Sequence, residues 1–435
     1  MEWLPLLVFL GALIALLFAG LPVAIAFMAI NVLGVVYYFG AHAGLQQLIS
    51  SMVTSVSSFT LLPLPLFILM GEVMMRSGVG SGMMDALDKV FGRFPGRLGI
   101  LAVAGGALFA ALNGSAMAST AMLGTVLVPE MLKRGYKTPM VLGPILGSGG
   151  LAMMIPPTQL GVLLATLAHI PVGGFLLAII VPGILMAINY AIYIIGRCVL
   201  QPSVAPPYDV RAVPLQEKLR GILKYVLPVG VIMFLVVGVV FVGVATPSEA
   251  AALGALGCYV LALAFRGFTW KMFTESLKST IRVTVMVLFI LAGATTFSQL
   301  LAFSGTIQRL VEITSQSGIS PMAMLVLMQV ILLVLGMFMD PISIMMITVP
   351  IYFPIAGAFQ WDLMWFGVLF LLNMQMATTS PPFGLSLFVI RGAAPKGTTM
   401  RDIYLAALPF LACDTVSMTI LVFFPGLVTY LPSQM

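Results

Sequence analysis

No Asp, Glu, Lys or Arg occurs between Glu2 and Glu72. No water-soluble fold needs so long an uncharged stretch, and several segments of this chain exceed the ~20 apolar residues that span a bilayer. The chain as a whole is 61% hydrophobic and 8% charged, with a mean hydropathy of +1.14, whereas a soluble domain carries roughly 25% charged residues. The chain therefore reads as an all-α polytopic membrane protein.

Lys and Arg outnumber the acids by 20 to 14. In a membrane protein such an excess marks cytoplasmic loops, so nucleic acid is not an expected partner. Cys198, Cys258 and Cys413 lie in or near apolar helices without metal spacing and read as small packing residues. The start, Met-Glu-Trp-Leu-Pro, lacks a basic region, so the first apolar run is expected to be retained and not cleaved as a signal.

Two interruptions of the apolar pattern point to function. Gly147 to Pro157 reads Gly-Ser-Gly-Gly-Leu-Ala-Met-Met-Ile-Pro-Pro, and Asn373 to Pro382 reads Asn-Met-Gln-Met-Ala-Thr-Thr-Ser-Pro-Pro. Their Pro-Pro pairs are 225 positions apart, as are Pro22 and Pro247, Pro129 and Pro354, and Ser115 and Asp340. Broken helices at corresponding places in two halves are the best sequence pointer to a transporter's binding site. The expected organisation is a first repeat over 1–200, with a hairpin at 98–131 and a broken helix at 139–168. A cytoplasmic linker follows over 201–221. The second repeat covers 222–435, with a hairpin at 320–359 and a broken helix at 363–392.

The hairpins follow from length and charge. Residues 98–131 bend at Asn113-Gly114-Ser115, leaving arms of about 15 residues, or ~22 Å, short of the ~30 Å hydrocarbon core. Arg93 and Arg97 precede the segment, and Lys133, Arg134 and Lys137 follow it, which places both ends in the cytoplasm. The counterpart bending at Met339-Asp340-Pro341 has no Lys or Arg in its flanks, which places its ends outside. Five spans separate Pro22 from Pro247 (22–40, 61–75, 139–168, 172–196 and 222–243). An odd number inverts the second half, in agreement with the charges. Segments 44–59, 80–92 and 268–280 read as amphipathic arms along the interface. Arg309 fits poorly on an otherwise uncharged external side.

Irregular backbone at membrane depth survives only when buried in protein or lining a cavity. Its carbonyls and hydroxyls suit a hard monovalent cation. One cation site is expected from Asn113, Ser115 and the backbone of Gly147, Ser148 and Gly150, with Met153 close by. A second is expected from Asp340, Thr378, Thr379 and the backbone at Met376. Half-helices starting after Pro157 and Pro382 would aim their N-termini into the membrane, where they favour an anion. Thr158 and Ser380 add hydroxyl donors there, and Gly114 lies at the first bend. Arg282 is a candidate carboxylate partner, although a position near a helix end, like that of Glu72, also suits snorkelling to the interface. The expected activity is sodium-coupled carriage of a small organic anion, with proton coupling left open.

The same residues resemble the large membrane subunit of the tripartite ATP-independent periplasmic (TRAP) transporters, within the broader ion transporter superfamily. The resemblance covers essentially the whole chain. It rests on Pro65-Leu-Phe-Ile-Leu-Met-Gly-Glu72, Asn113-Gly-Ser-Ala116, Pro129-Glu-Met with Arg134-Gly-Tyr136, and Gly149-Gly-Leu-Ala-Met-Met-Ile-Pro-Pro157. Thr246-Pro-Ser-Glu-Ala-Ala-Ala252, Gly336-Met-Phe-Met-Asp-Pro341 and Ser380-Pro-Pro-Phe-Gly384 complete it. It implies a bacterial or archaeal inner membrane, a separate small four-helix membrane subunit and a periplasmic substrate-binding protein. It further implies uptake of organic acids such as dicarboxylates, sialic acids or sulfonates on a sodium gradient, by an elevator motion of hairpins and broken helices against a scaffold. Na⁺ is the coupling ion, and no other cofactor and no transition metal is expected.

Two other readings compete, one still a transporter and one of a different class. A self-sufficient carrier would need no binding protein. An intramembrane enzyme would need catalytic groups that are missing: His42 and His169 form no metal cluster, and Tyr208-Asp209 lies in a polar loop. Ser148 between glycines has no His placed as its base. The chain is not expected to be an enzyme.

Overall fold

The computed structural model describes residues 4–90, 95–206, 214–316, 318–395 and 397–434, all helices and connecting turns. Tyr208 and Asp209, inside the 201–221 linker, lie outside the described residues. The first half comprises α1 (Leu4–Phe18), α2 (Val23–Phe39), α3 (Ala41–Val56), α4 (Pro63–Arg76) and α5 (Val79–Val90). It continues with α6 (Arg97–Asn113), α7 (Ala116–Lys133), α8 (Thr138–Gly150), α9 (Gln159–Leu167), α10 (Val172–Ala178) and α11 (Ile180–Leu200).

The second half opens on one rod, Leu215–Phe241, made of α12 (Leu215–Gly221), α13 (Leu227–Met233) and α14 (Val239–Phe241) joined by two π-helical turns. Then come α15 (Pro247–Ala264), α16 (Trp270–Phe303), α17 (Thr306–Gln316), α18 (Pro321–Gly336) and α19 (Pro341–Ala358). The chain ends with α20 (Leu363–Thr379), α21 (Leu385–Ala393), α22 (Met400–Phe423) and α23 (Gly426–Thr429). Helix starts recur between the halves: α7 and α19 begin at 116 and 341, and α8 and α20 at 138 and 363, each pair 225 positions apart. Among the described residues, seven helices or helical rods are long and apolar enough to cross a membrane. One of the seven is α19, an arm of the second hairpin. The hairpin arms are 16–18 residues long, somewhat more than the expected length of about 15. The half-helices α8, α9, α20 and α21 are shorter than the seven.

Local chemistry sets the boundaries. Pro247 and Pro321 occupy first-turn positions behind the caps Thr246 and Ser320, and Thr246 forms a capping box with Glu249. At the first hairpin tip Gly114 sits at φ +58°, the left-handed conformation that ends a helix and favours glycine. At that hairpin's base the buried Arg97 guanidinium pairs with Asp88 at 2.9 Å. Burial raises the Asp88 carboxyl above its ordinary range, and the charge of Arg97 opposes that rise.

One expected arm is absent as a separate element. Residues 270–280 of it are the first turns of α16, a 34-residue helix ~51 Å long capped by Thr269. No proline interrupts Trp270–Phe303, so the amphipathic turns run straight into the apolar ones. This puts Arg282 in mid-helix and not near a helix end as expected. The other two arms are separate short helices, α3 and α5. Arg309, the misfit of the charge pattern, pairs with Glu312 at 3.2 Å on α17.

The helices pack as two groups. In one, α4 lies against α15 and α16, and α16 also lies against α2 and α3. The buried Asn31 amide fixes that contact by donating to the Gly293 carbonyl at 2.6 Å. In the other, α8 is enclosed by α6, α7 and α22, with α11, α20 and α21 around them. Close approach there depends on glycine. A Cβ on Gly143 would stand 2.8 Å from the Ala406 carbonyl oxygen and 2.6 Å from the Phe410 ring. Gly143→Leu should therefore destabilise the protein by about 1–3 kcal/mol, read as a lower Tm of the detergent-purified protein. Gly196→Leu, on α11 with nothing within 4 Å of its added Cβ, should leave the Tm unchanged.

Candidate functional site

A cavity of about 300 Å³ lies where the two helix groups meet. Both hairpin tips line it, through Gly114 and Ser115 and through Asp340. Both breaks line it too, through Met153 and Gln159 and through Thr378, and α4 and α16 close it with Glu72, Met75, Val283 and Met286. Five residues expected from sequence thus meet here: Gly114, Ser115, Met153, Asp340 and Thr378.

The tips are built alike. Ser115 caps α7, its hydroxyl oxygen accepting from Ala118 N–H at 3.4 Å. Asp340 caps α19: one carboxylate oxygen accepts from Ser343 N–H at 3.0 Å and the other from the Ser343 hydroxyl. Each residue therefore holds its helix start and faces the cavity. Asn113 closes α6, and its side chain lies outside the described residues.

The breaks differ from expectation in three respects. First, the backbone of Gly147, Ser148 and Gly150 is still helical; α8 ends at Gly150, and Leu151–Met153 tightens into a 3₁₀ turn. There Met154 N–H bonds to the Leu151 carbonyl at 3.0 Å and does not continue the four-residue ladder. These last carbonyls of α8 are the ones a helix end leaves short of partners.

Second, neither proline pair opens a half-helix. The peptides Pro156–Pro157 and Pro381–Pro382 are both cis. The first half-helix starts at Gln159 behind the cap Thr158, whose buried hydroxyl accepts from Gly161 N–H at 3.4 Å. The second starts only at Leu385, behind Gly384.

Third, the hydroxyls of the second break turn back onto their own helix. Thr378 donates to the Gln375 carbonyl at 2.9 Å, while Thr379 and Ser380 both donate to Met376 at 3.1 and 2.8 Å. Both lone pairs of the Met376 carbonyl are thereby engaged, so it can coordinate an ion only after a hydroxyl rotates away.

Arg282 is exposed on α16 and stands outside the cavity lining, one position before Val283. Glu72, expected from sequence to snorkel to the interface, lines the cavity instead. Its carboxylate accepts from Arg76 at 3.0 Å and from the Ser279 hydroxyl at 2.7 Å, tying α4 to α16. The signal was available: an acid ending an otherwise uncharged apolar run is a functional candidate by default. The cavity lining thus includes two carboxylates, Glu72 and Asp340, and no Lys, Arg or His. It favours cations, and an anion can share it only if cations or helix N-termini offset that charge. Among the described residues no group of His, Cys, Asp and Glu fits a metal cluster.

The model of the tripartite ATP-independent periplasmic transporter DctM component matches residues 10–427. The chain belongs to this family. It is a TRAP transporter large membrane subunit, a multi-pass protein of the inner membrane. It is 31% identical to the C4-dicarboxylate TRAP transporter large permease protein DctM of Pseudomonas aeruginosa, over 86% of each chain. It is 27% identical to the sialic acid TRAP transporter large permease protein SiaM of Vibrio cholerae, over 96% of each. Among solved structures, the YdaH transporter of Alcanivorax borkumensis superposes with a TM-score of 0.66 over 88% of this chain and 89% of its own. At 15% identity that likeness is one of fold.

The breaks touch through Gly150: a Cβ there would fall 1.8 Å from the Gln375 amide. Gly150→Ala should displace the buried Gln375 amide from the junction of the two breaks and lower transport by about 10- to 100-fold, measured as initial uptake at equal membrane expression. Gly196→Ala is the control.

Proposed function

We propose that this subunit imports a small organic anion, a carboxylate or sulfonate, together with sodium by an elevator motion, and receives the substrate from a periplasmic binding protein. The observation that carries the reading is the single cavity at which both hairpin tips, both breaks and two carboxylates meet. The family implies a small membrane subunit and a binding protein as partners. Relatives named for C4-dicarboxylate and sialic acid transport support a carboxylate-bearing substrate.

The two halves are read as inverted repeats, supported by the 225-residue recurrence of helix starts and by the distribution of basic residues. Each tip and break supplies one sodium site: Asn113, Ser115 and the carbonyls of Gly147, Ser148 and Gly150 in the first half, and Asp340, Thr378, Thr379 and Met376 in the second. Sodium at these positions offsets Glu72 and Asp340, so the anion can enter beside the helix starts at Thr158 and Gly384. The moving unit is then the group around α8. The packing extends it beyond 98–168 and 320–392 to include α10, α11 and α22, while α2–α4, α15 and α16 form the scaffold.

The deciding experiment is uptake into proteoliposomes holding this chain and its small subunit, with and without a sodium gradient and the cognate binding protein. Uptake that requires both is the expected result. Uptake without the binding protein would replace this reading with a self-sufficient carrier. Asn113→Ala and Asp340→Ala should each abolish sodium-dependent uptake while membrane insertion stays intact; undiminished uptake would refute the assignment of these sites.

A further inference from the structure

Inside the group around α8 lies a second polar cluster that the cavity does not use. Asp414, on α22, is 1% exposed, and the fully buried Tyr190 on α11 donates its hydroxyl to the Asp414 carboxylate. Gln375, on α20 one position before Met376, is also fully buried. Its amide faces the Tyr190 hydroxyl, and its oxygen has no hydrogen-bond partner. The same amide lies against Gly150 at the first break. A carboxyl, a phenol and an amide therefore run from α22 through α11 to the point where the two breaks touch.

Asp414 takes part in no ion pair among the described residues. The packed neighbours α8 and α20 carry no titratable side chain. On α11 the titratable groups are Tyr190, Tyr193, Arg197 and Cys198, on α21 Arg391, and on α22 itself Arg401, Asp402, Tyr404 and Cys413. Of these only Tyr190 hydrogen-bonds to Asp414. A buried charge persists only when paired, so a carboxyl in this position needs a cation, and the orphaned Gln375 oxygen is a ligand waiting for one.

We infer that Asp414, Tyr190 and Gln375 form a further monovalent-cation site, taking a proton or a sodium ion, that joins the two breaks from behind the cavity. The inference rests on the coupled-transport reading above and adds one cation to it. The test is the number of sodium ions and protons moved per substrate, from reversal potentials and labelled sodium in proteoliposomes of the complete complex. In D414N the side chain is neutral and keeps its shape, so one cation per substrate should be lost. Loss from the sodium count identifies sodium, and loss from the proton count identifies a proton.

Wild-type counts for both ions in D414N would overturn the proposal. If D414N fails to insert, Tyr190→Phe removes only the donor to the carboxyl. It should shift the half-maximal sodium or proton concentration by about tenfold, and an unshifted value would overturn the site. Wild-type uptake without sodium dependence would refute the sodium reading alone, because the proton count of D414N still decides this one.

Discussion

Hydrocarbon cannot hydrogen-bond, so every backbone polar group within the bilayer must find its partner in the protein. The rest of this structure follows from that constraint. Regular helices meet it without help, and most of the chain is regular. The four interruptions, two tips and two breaks, meet it by capping: Ser115, Asp340 and Thr158 each accept from the first turn of a helix. At the second break the hydroxyls of Thr378, Thr379 and Ser380 donate to carbonyls of the last turn. The groups that keep the interruptions intact are thus also the oxygen donors suited to an ion. Structure and ligand chemistry are the same atoms in two uses.

That double use explains why the site sits between the two helix groups. Polar interruptions cannot face lipid, so they converge on one another, and the surface they share with α4 and α16 becomes the cavity. Its lining is acidic, through Glu72 and Asp340. An anionic substrate would meet repulsion unless cations arrive with it, and obligatory co-binding is the physical basis of coupling.

Much of this was legible in the sequence, and the reasons are specific. The 225-residue spacing of the Pro-Pro pairs located both breaks, because proline and small residues interrupt helices wherever they occur. The Asn113-Gly114-Ser115 and Met339-Asp340-Pro341 bends located both tips, since a glycine at positive φ and a cap followed by proline are local signals. What failed was non-local. The sequence cannot show that Leu385, and not the residue after Pro382, opens the second half-helix. Nor can it show that residues 268–280 continue into a span, because an amphipathic turn followed by apolar ones reads equally well as two elements. Glu72 was read as an interfacial acid because its partner Ser279 is remote in sequence.

The halves differ at one joint. In the first, α3 ends at Val56 and α4 starts at Pro63, with irregular backbone and a short 3₁₀ turn between them. The stretch 225 positions later lies inside the unbroken helix α16. A residue added to the first joint is absorbed by a loop. A residue added at the equivalent place in α16 turns everything beyond it by ~100° about the helix axis and lifts it ~1.5 Å. Met286 would then turn away from the face it shares with Ser279, whose hydroxyl holds Glu72 at the cavity. The two halves therefore tolerate length variation very unequally, and insertions and deletions should be far rarer within α16 than between α3 and α4.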